Sequence, residues 1–274
     1  AHNSGGSGFT ARSQSQNVVY RDCDTYDIGD RAFQLAGEGH KLIRPRTRNG
    51  YDRSVSLDVQ LPDGTWDGAD DVDIINGDFK DNSDGSIIAV REYGADNITI
   101  RDCKMRGTFR GAVQQDNPNC RDWKITDIDV KHTGADFSQS GFILQDGTTV
   151  DGGVLIEDSQ TGWDSPVNIR GNVEFEGLTI EIRNTDVSGQ VVATTGSEPF
   201  DWRGGKIVCG SHGSGFNLDQ ACPGSTIVGV TVDEFGDGAG VGSAVRVNAS
   251  NIMVSDVTGL TADSPRAFIA WDNA

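Results

Sequence analysis

Lysine is scarce in this chain: arginine outnumbers it nearly three to one among the 23 basic side chains. Glutamate is scarce as well, outnumbered fourfold by aspartate among the 41 acidic ones, and the formal net charge is -18. Short hydrated carboxylates with few lysines suit a surface bathed in concentrated salt, which screens their mutual repulsion. The same field repels phosphate, so nucleic acid is not an expected partner. Long apolar runs are missing, which excludes a membrane-spanning helix and insertion by that route. No extended i, i+3, i+4, i+7 apolar pattern occurs, so long amphipathic helices are not expected. No signal peptide is visible, and the chain opens at Ala1 rather than Met. Five cysteines are too few for a dense disulfide framework, and no CxxC pair offers a zinc site.

What the chain has is repetition. About ten imperfect copies of one pattern run along it, at a period of roughly 21 to 30 residues that points first to a solenoid. Each copy is an alternating apolar run, a turn rich in Asp, Asn or Gly, and a second short apolar run. Ile98-Thr99-Ile100-Arg101-Asp102-Cys103 and Leu155-Ile156-Glu157-Asp158 are examples of the first run, and Ile87-Ile88-Ala89-Val90 and Phe216-Asn217-Leu218 of the second. Alternation predicts strands with one buried face. Two or three short strands in roughly 25 residues are too few for a propeller blade, and the Leu/Asn signature of leucine-rich repeats is absent. One coil of a parallel β-helix fits, with 36 glycines available for its corners. Asp102, Asp127, Asp158 and Asp256 read as turn-forming residues at one register.

The recurrent Ile-x-Ile-x-Asp-Cys/Ser strand and turn, followed by Gly and then Ala/Ser-Val/Phe-x-Leu/Val, resembles the right-handed parallel β-helix, or pectin-lyase-like, superfamily. The resemblance implies an all-β, single right-handed solenoid of about ten coils over residues 17–274, after a linker-like segment, 1–16. It does not choose a function, because lyases, hydrolases, viral spikes and structural shafts share the architecture. Many viral β-helix proteins are trimers, so the resemblance also implies a homo-oligomer. The linker-like start and uncapped end suggest part of a larger chain or assembly.

Four groups of residues can carry chemistry. Arg21, Arg44, Arg46 and Arg48 form a basic segment out of character with the chain. Aligning Ile43-Arg44 with Tyr20-Arg21 sends Arg21 and Arg44 outward from neighbouring coils, where guanidinium forks suit carboxylate or sulfate groups; pairing with nearby Asp is the alternative. Tyr51, Trp66 and Trp163 lie at expected corners, where aromatic faces stack on sugar rings or pack under loops. Trp123, which enters a strand, reads as core. Asp70, Asp71 and Asp73 belong to a dense acidic stretch able to supply oxygen ligands to Ca²⁺, without EF-hand spacing; a solvated acidic loop is the alternative. Cys103 with Cys120, and Cys209 with Cys222, are candidate disulfides, with free buried thiols as the alternative. Cys23 and Cys103 share a register roughly 14 Å apart, too far for a bridge.

Asn184-Thr185-Asp186 and Ser211-His212-Gly213 look like pieces of the polygalacturonase signature, but no Asp-Asp coil intervenes to supply the acid and base of an inverting hydrolase. The expectation is therefore a noncatalytic attachment or structural module, extracellular or on a virion surface, meeting glycans, a cell-surface receptor or neighbouring subunits in high salt. The alternative is a secreted lyase or hydrolase acting on acidic polysaccharide, with Arg21 or Arg44 as base.

Overall fold

The computed structural model describes all residues except 51, 135–139, 159–162, 164, 184–188, 211–212, 219–221, 236–241, 260–268 and 272–274. At 4, 82–84 and 269–271 only the backbone is described. Within these bounds the chain has no helix and winds as a parallel β-solenoid of about nine turns. Three ladders of stacked strands form its faces. The first holds ten strands, from Val19–Arg21 and Lys41–Ile43 to Met253–Ser255. Ten strands make nine steps, one fewer than ten full coils. The second runs from His2–Ser4 through Asp24–Ile28 and Arg46–Gly50 to Thr231–Asp233. The third runs from Phe9–Ala11 through Arg31–Leu35 and Arg53–Ser56 to Ile269–Trp271. Second and third join into one 19-stranded sheet, because Asp78–Val90 and Lys104–Gln115 pass through the corner unbroken.

Side-chain alternation explains the core. Leu42, Ile74, Ile100, Ile125, Val150, Phe175, Trp202 and Ile227 stack in register down the first ladder and are buried. Phe79, Met105, Val130, Leu155, Ile180, Ile207 and Val232 do the same on the second. Burying each such side chain is worth about 1.5–3 kcal/mol against leaving it exposed. The coils are not of equal length. The one that carries the chain from Leu42 to its in-register partner Ile74 is longer than the one from Tyr20 to Leu42. The extra length is an antiparallel hairpin of Asp58–Gln60 and Trp66–Asp70, whose second strand also pairs with Gly37–Glu38.

The corner between first and second ladders sets the register. Asp22, Arg44, Asn76, Asp102, Asp127, Gly152, Gly177, Gly204, Gly229 and Asp256 occupy it in turn, all with φ between +48° and +70°. That left-handed conformation favours Gly, Asn and Asp, which is why the repeat is legible there. Asp158 is not in this column. It follows the second ladder and pairs with Lys131 at 3.0 Å. The Ser/Gly-rich start is not a free linker either: His2–Ser4 and Phe9–Ala11 pair with the strands of the next coil. Phe9 stacks on Phe33 with ring centroids 5.2 Å apart and meets Tyr20 at 5.5 Å, so three rings close this end of the core.

Candidate functional site

The outer faces of the three ladders differ, and the third is the unusual one. Its apolar residues, Phe33, Val55, Ile88 and Val113 among them, point inward. Alternation therefore turns Gln34, Ser56, Ala89, Gln114, Ile143, Asn168, Ala193, Asn217 and Arg246 outward in one row. An outward row is normally wet. Here Ser56 and Gln114 have no exposed surface, and Gln34 and Asn217 retain 8% and 7%.

Charged side chains wall the upper part of this face. Arg53 is 3% exposed; its Nη1 donates to Ser56 Oγ at 2.9 Å and to Asp58 Oδ1 at 2.8 Å. The other Asp58 oxygen accepts from the Arg91 and Glu92 amides at 2.9 and 3.0 Å. Burial pulls the Arg53 guanidinium below its ordinary pKa, against the opposing pull of Asp58 and Asp52. Around this pair runs an alternating chain of charges. Arg31 stands 3.7 Å from Asp30 and 3.4 Å from Asp52. Asp52 meets Arg53 at 3.6 Å and Arg91 at 3.9 Å. Asp116 lies 3.8 Å from both Arg91 and Arg170. These separations exceed the roughly 2.7–2.9 Å of a direct charge-assisted hydrogen bond. Gly85 lets the wall close: a Cβ there would stand 1.0 Å from the Asp52 carbonyl oxygen.

Arg31 Nε and Arg53 Nε make no direct hydrogen bond but face the same Asp52 oxygen at 3.4 and 3.6 Å, and Gln114 Oε1 is buried with no hydrogen-bond partner. Buried polar atoms are nearly always paired, so Gln114 Oε1 is an exception on this face. Trp66 stands beside Arg31. Its half-buried ring lies 5.7 Å from the Arg31 guanidinium, which covers one side.

The predicted residues scatter over other parts of the solenoid. Arg21 pairs in register with Ile43, not with Arg44, so the assumed alignment slips by one residue. Arg44 takes the left-handed corner above Asp22 and binds it through both forks, at 2.6 and 2.7 Å. That bond holds the Asp22 carboxyl below its usual pKa and raises the Arg44 guanidinium, the wrong direction for a catalytic base. Arg46 and Arg48 are exposed on the second ladder, with Asp24 at 2.6 Å and Asp78 at 3.3 Å. Trp163 is fully buried, stacked on His132 at 4.5 Å, and donates its Nε1 hydrogen to the Arg110 carbonyl at 3.0 Å. It is therefore a core residue and not a sugar platform. His132 in turn meets both carboxylate oxygens of buried Glu157 at 3.0 Å. Trp123 is buried, as expected. Tyr51, Asn184, Thr185, Asp186 and His212 lie outside the described residues.

The three proposed calcium ligands point to separate partners. Asp70 Oδ1 accepts from the Asp96 amide at 3.0 Å, Asp71 Oδ1 accepts from the Asn97 side-chain amide, and Asp73 pairs with Lys41 at 2.6 Å. Asp71 holds a left-handed corner at φ +54°, between the hairpin strand that carries Asp70 and the ladder strand that carries Asp73. Among the described residues no group of three or more His, Cys, Asp or Glu is placed to hold a metal ion. All five cysteines are free. Cys103 follows the corner between first and second ladders, whereas Cys120 precedes a strand of the first; Cys209 follows a strand of the second ladder and Cys222 precedes one of the first. Burial pushes the Cys103 and Cys120 thiols up to about 12, far from reactivity at neutral pH.

Sequence reasoning missed Arg31, Arg53, Arg91 and the row from Gln34 to Asn217. Alternation places Gln34, Ser56, Gln114 and Asn217 on an outward face, but nothing in the sequence marks that face as covered. Comparison with protein-family models, curated proteins and solved structures finds no match.

Proposed function

We propose that this β-solenoid is a noncatalytic surface or attachment module that binds carbohydrate at the outer face of its third ladder, around Trp66. The reading is carried by the half-buried Trp66 ring, with the Arg31 guanidinium 5.7 Å from its centroid, beside a buried row of polar side chains. Carbohydrate rings stack on aromatic faces, and the side of Trp66 away from Arg31 offers such a face. A groove also suits high salt. Ions screen exposed charges strongly and partly buried ones much less, so a contact made inside it persists where a surface ion pair fades. The noncatalytic part rests on the described carboxylates of the groove. Asp58 is held by a guanidinium, a hydroxyl and two backbone amides, and Asp52 and Asp116 stand between arginines.

A glycan array probed in high salt, with Trp66→Ala and Gln114→Ala as controls, tests this. Binding lost in both variants supports it, and an array that stays blank for the intact protein sinks it. A lyase reading is favoured by one observation, the downward pull on the Arg53 pKa, which suits a base. Release of unsaturated uronides from acidic polysaccharide, abolished in Arg53→Lys, would establish that reading instead.

A further inference from the structure

We infer a second binding track on the outer face of the second ladder, fitted to an acidic polysaccharide lying along the solenoid axis. Arg48, Lys80, Arg106 and Lys131 are consecutive in-register partners there, one cation per coil over four coils. Strand stacking spaces them at about 4.8 Å. Tyr26 occupies the same register one coil earlier and is 49% exposed. It shares a shallow pocket of about 220 Å³ with Asp24, Thr25, Arg46 and Arg48.

The column is a departure from the rest of the molecule. In a chain of net charge -18, this patch gathers six cations, counting Arg46 and Lys104, against four aspartates: Asp24, Asp78 and Asp129 in the adjacent column, and Asp158 beside Lys131. Further along, the same register holds Ile156, Glu181, Val208 and Asp233, so the track has a defined end. Lys80 and Lys104 have no ion-pair partner among the described residues. Arg48, Arg106 and Lys131 pair with Asp78, Asp129 and Asp158 at 3.3, 2.5 and 3.0 Å. Those pairs are solvent-exposed and weak, so a ligand carboxylate or sulfate can replace the aspartate.

Charge density selects the polymer. Duplex DNA carries one charge per about 1.7 Å of its axis, several times denser than a column with one cation per coil, and the surrounding acidic surface repels the excess. A glycan with one acidic group every sugar or two spaces its charges far more nearly as the coils do. Tyr26 adds an aromatic face at one end of the track.

The test is titration of size-defined oligogalacturonates and dextran sulfate, with neutral dextran and duplex DNA as comparators, at low and high salt. The intact chain is expected to bind the two acidic glycans, and Lys80→Glu/Arg106→Glu to weaken them about tenfold or more and flatten the salt dependence. Lys80→Arg should retain binding, and Trp66→Ala, which breaks the groove, should leave this binding unchanged. Lys80 and Arg106 are exposed, and a native circular-dichroism melt confirms folding of each variant. Unchanged affinity in the double variant, equal binding of neutral dextran, or tighter binding of the DNA would each overturn the inference. Because the track and the groove share no residue, either reading can fail while the other stands.

Discussion

The outer faces of the second and third ladders belong to the same coils yet present opposite environments. On the second, Arg46, Arg48, Lys80 and Arg106 stand in solvent, and the aspartate partners of the three arginines are exposed as well. On the third, Arg53 and Asp58 are sealed at 3% and 0% exposure, and Gln114 Oε1 is buried without a hydrogen-bond partner. The same ion-pair chemistry therefore has different worth on the two sides. An exposed pair contributes about 0–1 kcal/mol, while breaking a buried one costs about 3–5 kcal/mol because a charge is stranded. One face can exchange its partners for a ligand at little cost. The other is built around charges that must stay paired and offers its remaining hydrogen-bonding capacity instead.

Breaking the buried side gives the largest expected effect. Asp58→Ala strands Arg53 and leaves two backbone amides unbonded, so urea unfolding should show a loss of about 3–5 kcal/mol. Replacing both partners, Arg53→Met with Asp58→Leu, should recover part of it; no recovery would mean that the amide bonds, not the charge pair, dominate. Alkali comes next. The Cys103 and Cys120 thiols have folded pKa values of about 12 against an ordinary 9.0. Their contribution to stability is complete below pH 9 and is lost as pH rises through 12, since the unfolded thiols ionise first. A pH series of melts should fall in that window. Native alkylation followed by mass spectrometry should label half-exposed Cys23 before the four buried thiols.

Trp66→Ala sharpens the comparison from the ligand side. Removing one aromatic face should weaken groove binding by about 0.5–1.5 kcal/mol, read as a titration shift, without moving the acidic-glycan track. The smallest effect belongs to the open face: Arg46→Ala should change unfolding free energy by less than about 1 kcal/mol, and less still in high salt. A cost as large as that of Asp58→Ala would erase the distinction between the two faces.

Much of this is legible without coordinates. The parallel ladders follow from alternating runs, and the corner column from recurrent Asp, Asn and Gly, because few residues tolerate a positive φ. The cationic track is legible too. Tyr26, Arg48, Lys80, Arg106 and Lys131 each fall four positions after a corner residue, Asp22, Arg44, Asn76, Asp102 and Asp127. Sequence alignment of the repeats misses it by treating Arg44 as a strand residue; an arginine at a left-handed corner breaks the Asp/Asn/Gly rule, and the alignment slips by one. Trp163 misleads for a different reason. Its Gly-flanked setting looks exposed, but its burial depends on His132, from the preceding coil, against which the ring packs.

The amino-acid order alone determined the solenoid, its corners and the identity of the inward columns, since these depend on period, local φ preference and alternation within a short stretch of chain. Only the tertiary structure decided which outward columns stay wet. That choice separates the open cationic track from the covered groove, and it turns on residues of different coils, such as Asp52, Arg91 and Trp66, being brought to one ladder. Sequence distance says little about which charges will share water and which will share a wall.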